Sequence, residues 1–342
     1  MGVIAGLLAA LIFGANGSLI KVVIEAGLTP PQVTQFRTLG TAILAGLILL
    51  ATDRAAFRLS GKRIGSLALL GVGGIAMLQW SYAMAIERLP VGIALLFEYL
   101  AVLIVALFAL IVFKEPVRNR IWVAIGCVLV GLAVVAKVWD SSLDPFGVLM
   151  AVIAAITLAY YLLSGERLAS ATSPMTVAFW TSAFAAAFWA MLSGWWTIDP
   201  TLFTSAVSLD GALEHIVLPM WIPLLFVVVV GTFVPMVLSF FALVRLRATP
   251  AGILASSEVI FAFVVAWLWL SEALDTVQVI GAAIVLVGIV LAQTARPGSV
   301  VSADLGLAPT GPISVPAPGD GDVGGRDVGG RNIGGRNVGG RT

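Results

Sequence analysis

The chain has 342 residues, with 19 Lys and Arg against 18 Asp and Glu for a net charge of +1; 60% of residues are hydrophobic and only 11% charged. Soluble domains carry roughly 25% charged residues, so this composition argues against a soluble domain, and the near-zero net charge supports no nucleic-acid partner. The single cysteine, Cys127, and the single histidine, His215, rule out an intrachain disulfide and a multi-Cys metal site, and no residue pattern points to a cofactor.

Taken in chain order, apolar segments fall at about 2–25, 31–51, 64–87, 90–113, 119–139, 146–166, 174–196, 218–244, 250–271 and 276–295. About 20 apolar residues are what a helix needs to cross a ~30 Å hydrocarbon core at 1.5 Å per residue. Barrel strands would alternate apolar and polar over about ten residues, and these segments do not. The fold class expected is therefore an all-α polytopic membrane protein with ten transmembrane helices. The first segment lacks a basic leader and reads as a retained helix, not a cleaved signal peptide.

Pro30, Pro31, Pro90, Pro174 and Pro250 sit at predicted helix starts, where a missing N–H costs little. Pro235 falls inside the eighth segment and predicts a kink. The loop from Thr197 to Leu218, with Asp210 able to cap a short interfacial helix, reads as an ordinary connector in preference to a lid over an outward vestibule. Basic residues set the orientation. With the N-terminus in the cytoplasm, Arg54, Arg58, Lys62, Arg63, Lys114, Arg118, Arg120, Arg167, Arg245 and Arg247 lie inside, against only Arg88 and Lys137 outside. That bias predicts a plasma (inner) membrane protein with both termini cytoplasmic.

The second half echoes the first. Pro90-Val-Gly-Ile-Ala94 resembles Pro250-Ala-Gly-Ile-Leu254, and Val128-Leu-Val-Gly131 resembles Val285-Leu-Val-Gly288. Five helices per half would insert the second copy upside down, giving the inverted repeat characteristic of secondary transporters. The expected organisation is a repeat over 1–140, a second over 141–296, and a Gly/Pro/Arg-rich tail over 297–342 that cannot bury a core and should be disordered.

These residues carry a family resemblance. Phe13-Gly14-Ala-Asn16, Lys21 and Phe36-Arg37 in the first helices, Pro90 through Glu98, and Pro250 through Glu258 followed by Trp267-Leu-Trp-Leu-Ser-Glu272 make the chain similar to EamA-type members of the drug/metabolite transporter superfamily. Ala101 and Val259 stand where the family usually has proline, and Phe13 where it commonly has tryptophan. The resemblance implies a helical bundle around a central cavity, alternating access, and export of small metabolites such as amino acids, in some relatives proton-coupled. The small-molecule substrate and the lipid bilayer are then the partners; oligomeric state stays open. A polytopic enzyme acting on lipid-linked substrates is the competing reading, but the chain offers it no interfacial carboxylate pair and no intramembrane histidine.

Ionisable groups inside lipid are costly and mark function by default. Glu98 and Glu258 each lie eight residues past a helix-start proline, about 12 Å from opposite interfaces, and should face one central cavity. Such a carboxylate either carries a proton, meets a substrate amine, or serves as a hydrogen-bonded structural group. Arg37, about 9 Å into the second helix, either pairs with Glu98, binds a substrate carboxylate, forms a structural ion pair, or snorkels outwards. Asn16, Gln79, Trp80, Tyr82, Tyr160 and Tyr161 are candidates to line an aqueous cavity. Lys21 is expected to snorkel outwards and pair with Glu25 at i,i+4. Gly71, Gly73, Gly74, Gly126, Gly131, Gly281 and Gly288 are expected at close helix contacts.

Overall fold

The computed structural model describes residues 1–112, 120–137, 143–169, 172–246 and 248–294. The tail over 297–342 and the basic residues Lys114, Arg118 and Arg247 lie outside the described residues. A helix that continues through a π-turn or a one-residue break is numbered here as one element. They are α1 (Gly2–Glu25), α2 (Pro30–Thr52), α3 (Gly61–Leu70 and Met77–Ile86, joined by a π-turn at Gly71–Ala76), α4 (Val91–Glu98 and Leu100–Val112) and α5 (Arg120–Val135). There follow α6 (Pro145–Ala169), α7 (Pro174–Leu192), α8 (Trp221–Val228 and Val234–Arg245, joined by a π-turn at Val229–Phe233), α9 (Ala248–Leu270) and α10 (Thr276–Thr294).

Among the described residues, eight helices are long and apolar enough to cross a membrane, and Trp122–Val135 and Leu254–Leu270 are shorter apolar helices. Their starts follow local chemistry. Pro30 and Pro174 occupy first helical positions. The Thr29 N–H donates to Gln32 Oε1 at 3.0 Å, closing a capping box. Ser173 Oγ accepts from the Thr176 N–H at 3.3 Å. Asp275 Oδ1 accepts from the Gln278 N–H at 2.9 Å, and its carboxylate also pairs with Lys137. The hydrogen bond from Lys137, with that of the Gln278 amide behind it, holds the Asp275 carboxyl below its usual range.

Pro235 lies in the first turn of the segment that resumes after the π-turn Val229–Phe233, so α8 runs through the proline with an irregular turn just before it. One expectation changes here. The 197–218 connector forms a small antiparallel hairpin, β1 (Ala206–Ser208) with β2 (Val217–Pro219). Its turn carries a 3-10 helix at Gly211–Leu213, but the Asp210 side chain makes no capping bond. The hairpin is tied to the bundle by Trp269 Nε1, which donates to the Leu209 carbonyl at 2.7 Å.

Inside lipid no hydrophobic drive separates helix from tail, so packing depends on small residues that let backbones approach. α5 packs on α10, α2 on α7, α1 on α8 and α9, and α6 on α3 and α4. A Cβ added at Gly131 would stand 2.6 Å from Val285 Cγ2 and 2.8 Å from the Gly281 carbonyl oxygen. At Gly14 it would stand 2.7 Å from the Glu258 carbonyl oxygen, and at Gly71 2.5 Å from that of Thr181. Gly126 departs from expectation, because a Cβ there would meet nothing within 4 Å. It lies on α5 away from the seam with α10.

The contrast within α5 is testable. Gly131→Ala should lower thermal stability in detergent by about 1–3 kcal/mol, because the crowded neighbour is partly backbone and cannot yield. Gly126→Ala should be neutral or stabilising by up to about 1 kcal/mol. Equal effects at the two positions would contradict the packing described.

Candidate functional site

The bundle encloses a cavity of about 120 Å³. One water needs roughly 10–15 Å³ by the same measure, so there is room for several waters or one small polar solute. Seven of the residues singled out from the sequence line it together: Asn16 from α1, Arg37 from α2, Gln79 and Tyr82 from α3, Glu98 from α4, Tyr161 from α6 and Glu258 from α9. Glu98 and Glu258 therefore reach one space from two helices, as their matched spacing after Pro90 and Pro250 anticipates.

Trp80 and Tyr160 are not among the lining residues. Trp80 packs on Trp189, with ring centroids 5.8 Å apart. Tyr160 lies beside Gly73, where a Cβ would stand 3.3 Å from its ring. Of the two adjacent tyrosine candidates, Tyr161 is the one that lines the cavity. Successive helical residues point about 100° apart, so choosing between adjacent tyrosines needs the packing of α6 and not only its composition.

Arg37 is only 7% exposed. Its Nε donates to Thr232 Oγ1 at 3.2 Å. Thr232 Oγ1 in turn donates to the Val227 carbonyl at 2.8 Å, a carbonyl within reach because α8 widens into its π-turn there. The same turn brings Gly231 so close to α1 that a Cβ would overlap Asn16 Oδ1. One irregular turn thus orients both the cation and the carboxamide.

Glu258, 6% exposed, is met by a residue the sequence reading did not single out. The Tyr99 hydroxyl lies 3.2 Å from Glu258 Oε2 and 3.0 Å from the Ala255 carbonyl oxygen, donating to this pair from the break in α4 that follows Glu98. Adjacency to Glu98 was the available signal, but a tyrosine in an apolar run reads equally well as core. Three lining side chains each keep a buried polar atom with no hydrogen-bond partner: Asn16 Oδ1, Arg37 Nη1 and Gln79 Oε1.

A polar contact lies where α1 finishes and α4 begins. Lys21 Nζ pairs with Glu272 Oε1 at 2.5 Å, and Glu272 Oε2 accepts from the Val91 N–H at 2.8 Å. This corrects the expected Lys21–Glu25 pair. An exposed i,i+4 pair contributes only about 0.2–0.5 kcal/mol, whereas Glu272, 13% exposed and capping α4, needs a cation beside it. Towards the other end the lining includes Pro174, which begins α7, and Phe240, late in α8. The set combines one fixed cation, two carboxyl groups and neutral hydrogen-bonding groups, an arrangement suited to a small solute carrying both charges.

The sequence matches the EamA-like transporter family over residues 1–137 and 145–294. It is 30% identical over 257 residues to the threonine/homoserine exporter RhtA of Escherichia coli (strain K12), covering 73% of this chain and 77% of that one. The protein of the same name from Salmonella typhimurium (strain LT2) is 30% identical over 255 residues, with the same coverage of 73% and 77%. A solved structure described only as "Crystal structure of protein" superposes with a TM-score of 0.56 at 18% identity, over 85% of this chain and 97% of that one. That likeness concerns the fold alone.

Proposed function

The chain belongs to the EamA-like transporter family of the drug/metabolite transporter superfamily, and on that premise we propose that it is a secondary transporter exporting small metabolites such as amino acids by alternating access, coupled to protons through Glu98 and Glu258. It is a multi-pass membrane protein, and its family points to transport over catalysis. The observation that carries the reading is one enclosed cavity into which α2, α4 and α9 bring Arg37, Glu98 and Glu258. The name shared by its relatives, threonine/homoserine exporter, supports amino acids as the cargo.

Ten spans in two inverted five-helix repeats fit the packing. Under an exchange of each helix with the one five places on, α1 against α8 and α9 becomes α6 against α3 and α4, and the pairs α2–α7 and α5–α10 map onto themselves. The two π-turns fall in α3 and α8, which are also five apart. A related pair of halves around a central site is what lets one molecule present that site to either face. On this reading the Lys21–Glu272–Val91 contact is the outer closure, and the termini and the Pro174 end lie on the cytoplasmic side of the plasma membrane. A cysteine at Gly61, placed in a Cys127→Ser background, should react with impermeant reagents in everted vesicles; reaction in intact cells would reverse the orientation.

The test of the carboxylates is Glu98→Gln. Gln keeps the shape but cannot titrate. Export of amino acids should fall at least about tenfold, ~1.4 kcal/mol, and the residual activity should lose its pH dependence, while expression and thermal stability stay near wild type. Full export with an unchanged pH profile would remove Glu98 from the mechanism.

A further inference from the structure

Three side chains that line the cavity each carry a buried polar atom with no hydrogen-bond partner among the described residues: Arg37 Nη1, Asn16 Oδ1 and Gln79 Oε1. An unsatisfied buried donor or acceptor costs about 1–3 kcal/mol, and more when charged. Native interiors keep few of them, and each marks strain, a ligand or water. Here a donor and two acceptors coincide with the place where a solute would sit. We propose that these three side chains seat the polar head of an α-amino acid: Arg37 Nη1 takes its carboxylate, and the Asn16 and Gln79 carbonyl oxygens take its N–H or O–H donors. This rests on the export reading above and goes beyond it by assigning the groups that distinguish an amino acid from an amine.

The surroundings support that division of labour. Arg37 is fixed by its Nε bond to Thr232 Oγ1, and this leaves Nη1 unused without freeing the guanidinium to swing. Asn16 and Arg37 are 4% and 7% exposed, so neither is satisfied by bulk water. The cavity also contains Glu98 and Glu258, which disfavour an anion without an amine. A simple amine leaves Arg37 Nη1 without a hydrogen-bond partner. A zwitterion satisfies both signs, and fixed polar groups left unpaired by an analogue are what give strong discrimination. The π-turn of α8 holds both partners, Thr232 to Arg37 and Gly231 to Asn16, so the seat is built by α8 against α1 and α2.

The experiment uses the full chain in lipid nanodiscs, with L-threonine and L-threonine methyl ester as calorimetric probes. Wild type should bind the acid at least about tenfold more tightly than the ester. In Arg37→Gln the acid should weaken to the level of the ester, with ester affinity unchanged, and Arg37→Lys should restore part of the difference. Asn16→Ala and Gln79→Leu should weaken both probes. Equal binding of acid and ester by wild type overturns the assignment while leaving amino-acid export standing, and needs no variant that folds. Retention of the acid preference in Arg37→Gln overturns it as well. Failure of wild type to bind or export any amino acid in a panel removes both this inference and the reading beneath it.

Discussion

The guanidinium of Arg37 cannot be left to hydrocarbon, and the site is arranged around that constraint. It stays charged at any physiological pH and sits 7% exposed within an apolar bundle. The cost of a charge in lipid forces it to face inwards, towards polar groups from other helices. Thr232 on α8, Glu98 on α4 and Glu258 on α9 answer that demand around a single space. The π-turn in α8 serves the same demand. A regular helix would leave Thr232 and Gly231 differently disposed, and the widened turn offers the Val227 carbonyl to the Thr232 hydroxyl.

Around this charged centre the bundle is held by close contact of small residues. Gly14 brings α1 onto the backbone of α9 beside Glu258, Gly17 brings it against Val91 and the Tyr82 hydroxyl, and Gly131 lets α5 meet α10. The carboxylates therefore lie on helices whose separation is set by backbone contact, and a shift of α1 relative to α9 changes the cavity directly. The Lys21–Glu272 pair spans those two helices, and Glu272 also caps the first turn of α4. One side chain thus ties three elements at one end of the site. Breaking it costs a single buried ion pair and one hydrogen bond, a scale on which a solute's binding can act.

Eight of the expected spans, counted among the described residues, were legible in the sequence because hydrocarbon imposes length and continuity on every segment that crosses it. Helix starts were legible where proline marked them, as at Pro30 and Pro174. Glu98 and Glu258 stood out because charge inside an apolar run is rare, and their common distance from Pro90 and Pro250 pointed to one shared space. What failed to show was side-chain direction and long-range pairing. Tyr160 and Tyr161 are indistinguishable until the face of α6 is known. Lys21 has a plausible local partner in Glu25, and nothing local announces Glu272 at the far end of the chain. Gly126 reads like Gly131, yet Gly131 packs on α10 and a Cβ at Gly126 would meet none of the described residues within 4 Å. Tyr99 passed as core although its hydroxyl meets Glu258.

Alternating exposure of the cavity is the central claim, and Ser182, buried on α7 in the cavity wall, is the place to test it. The measurement is labelling of Ser182→Cys, in a Cys127→Ser background, by a membrane-impermeant maleimide in intact cells and in everted vesicles. With the closure at Lys21 and Glu272 intact, the account predicts reaction from the cytoplasmic side only; adding Glu272→Gln should open reaction from outside and reduce it from inside. Reaction from both sides at once in the parent protein, or an outside rate unchanged by Glu272→Gln, would contradict it.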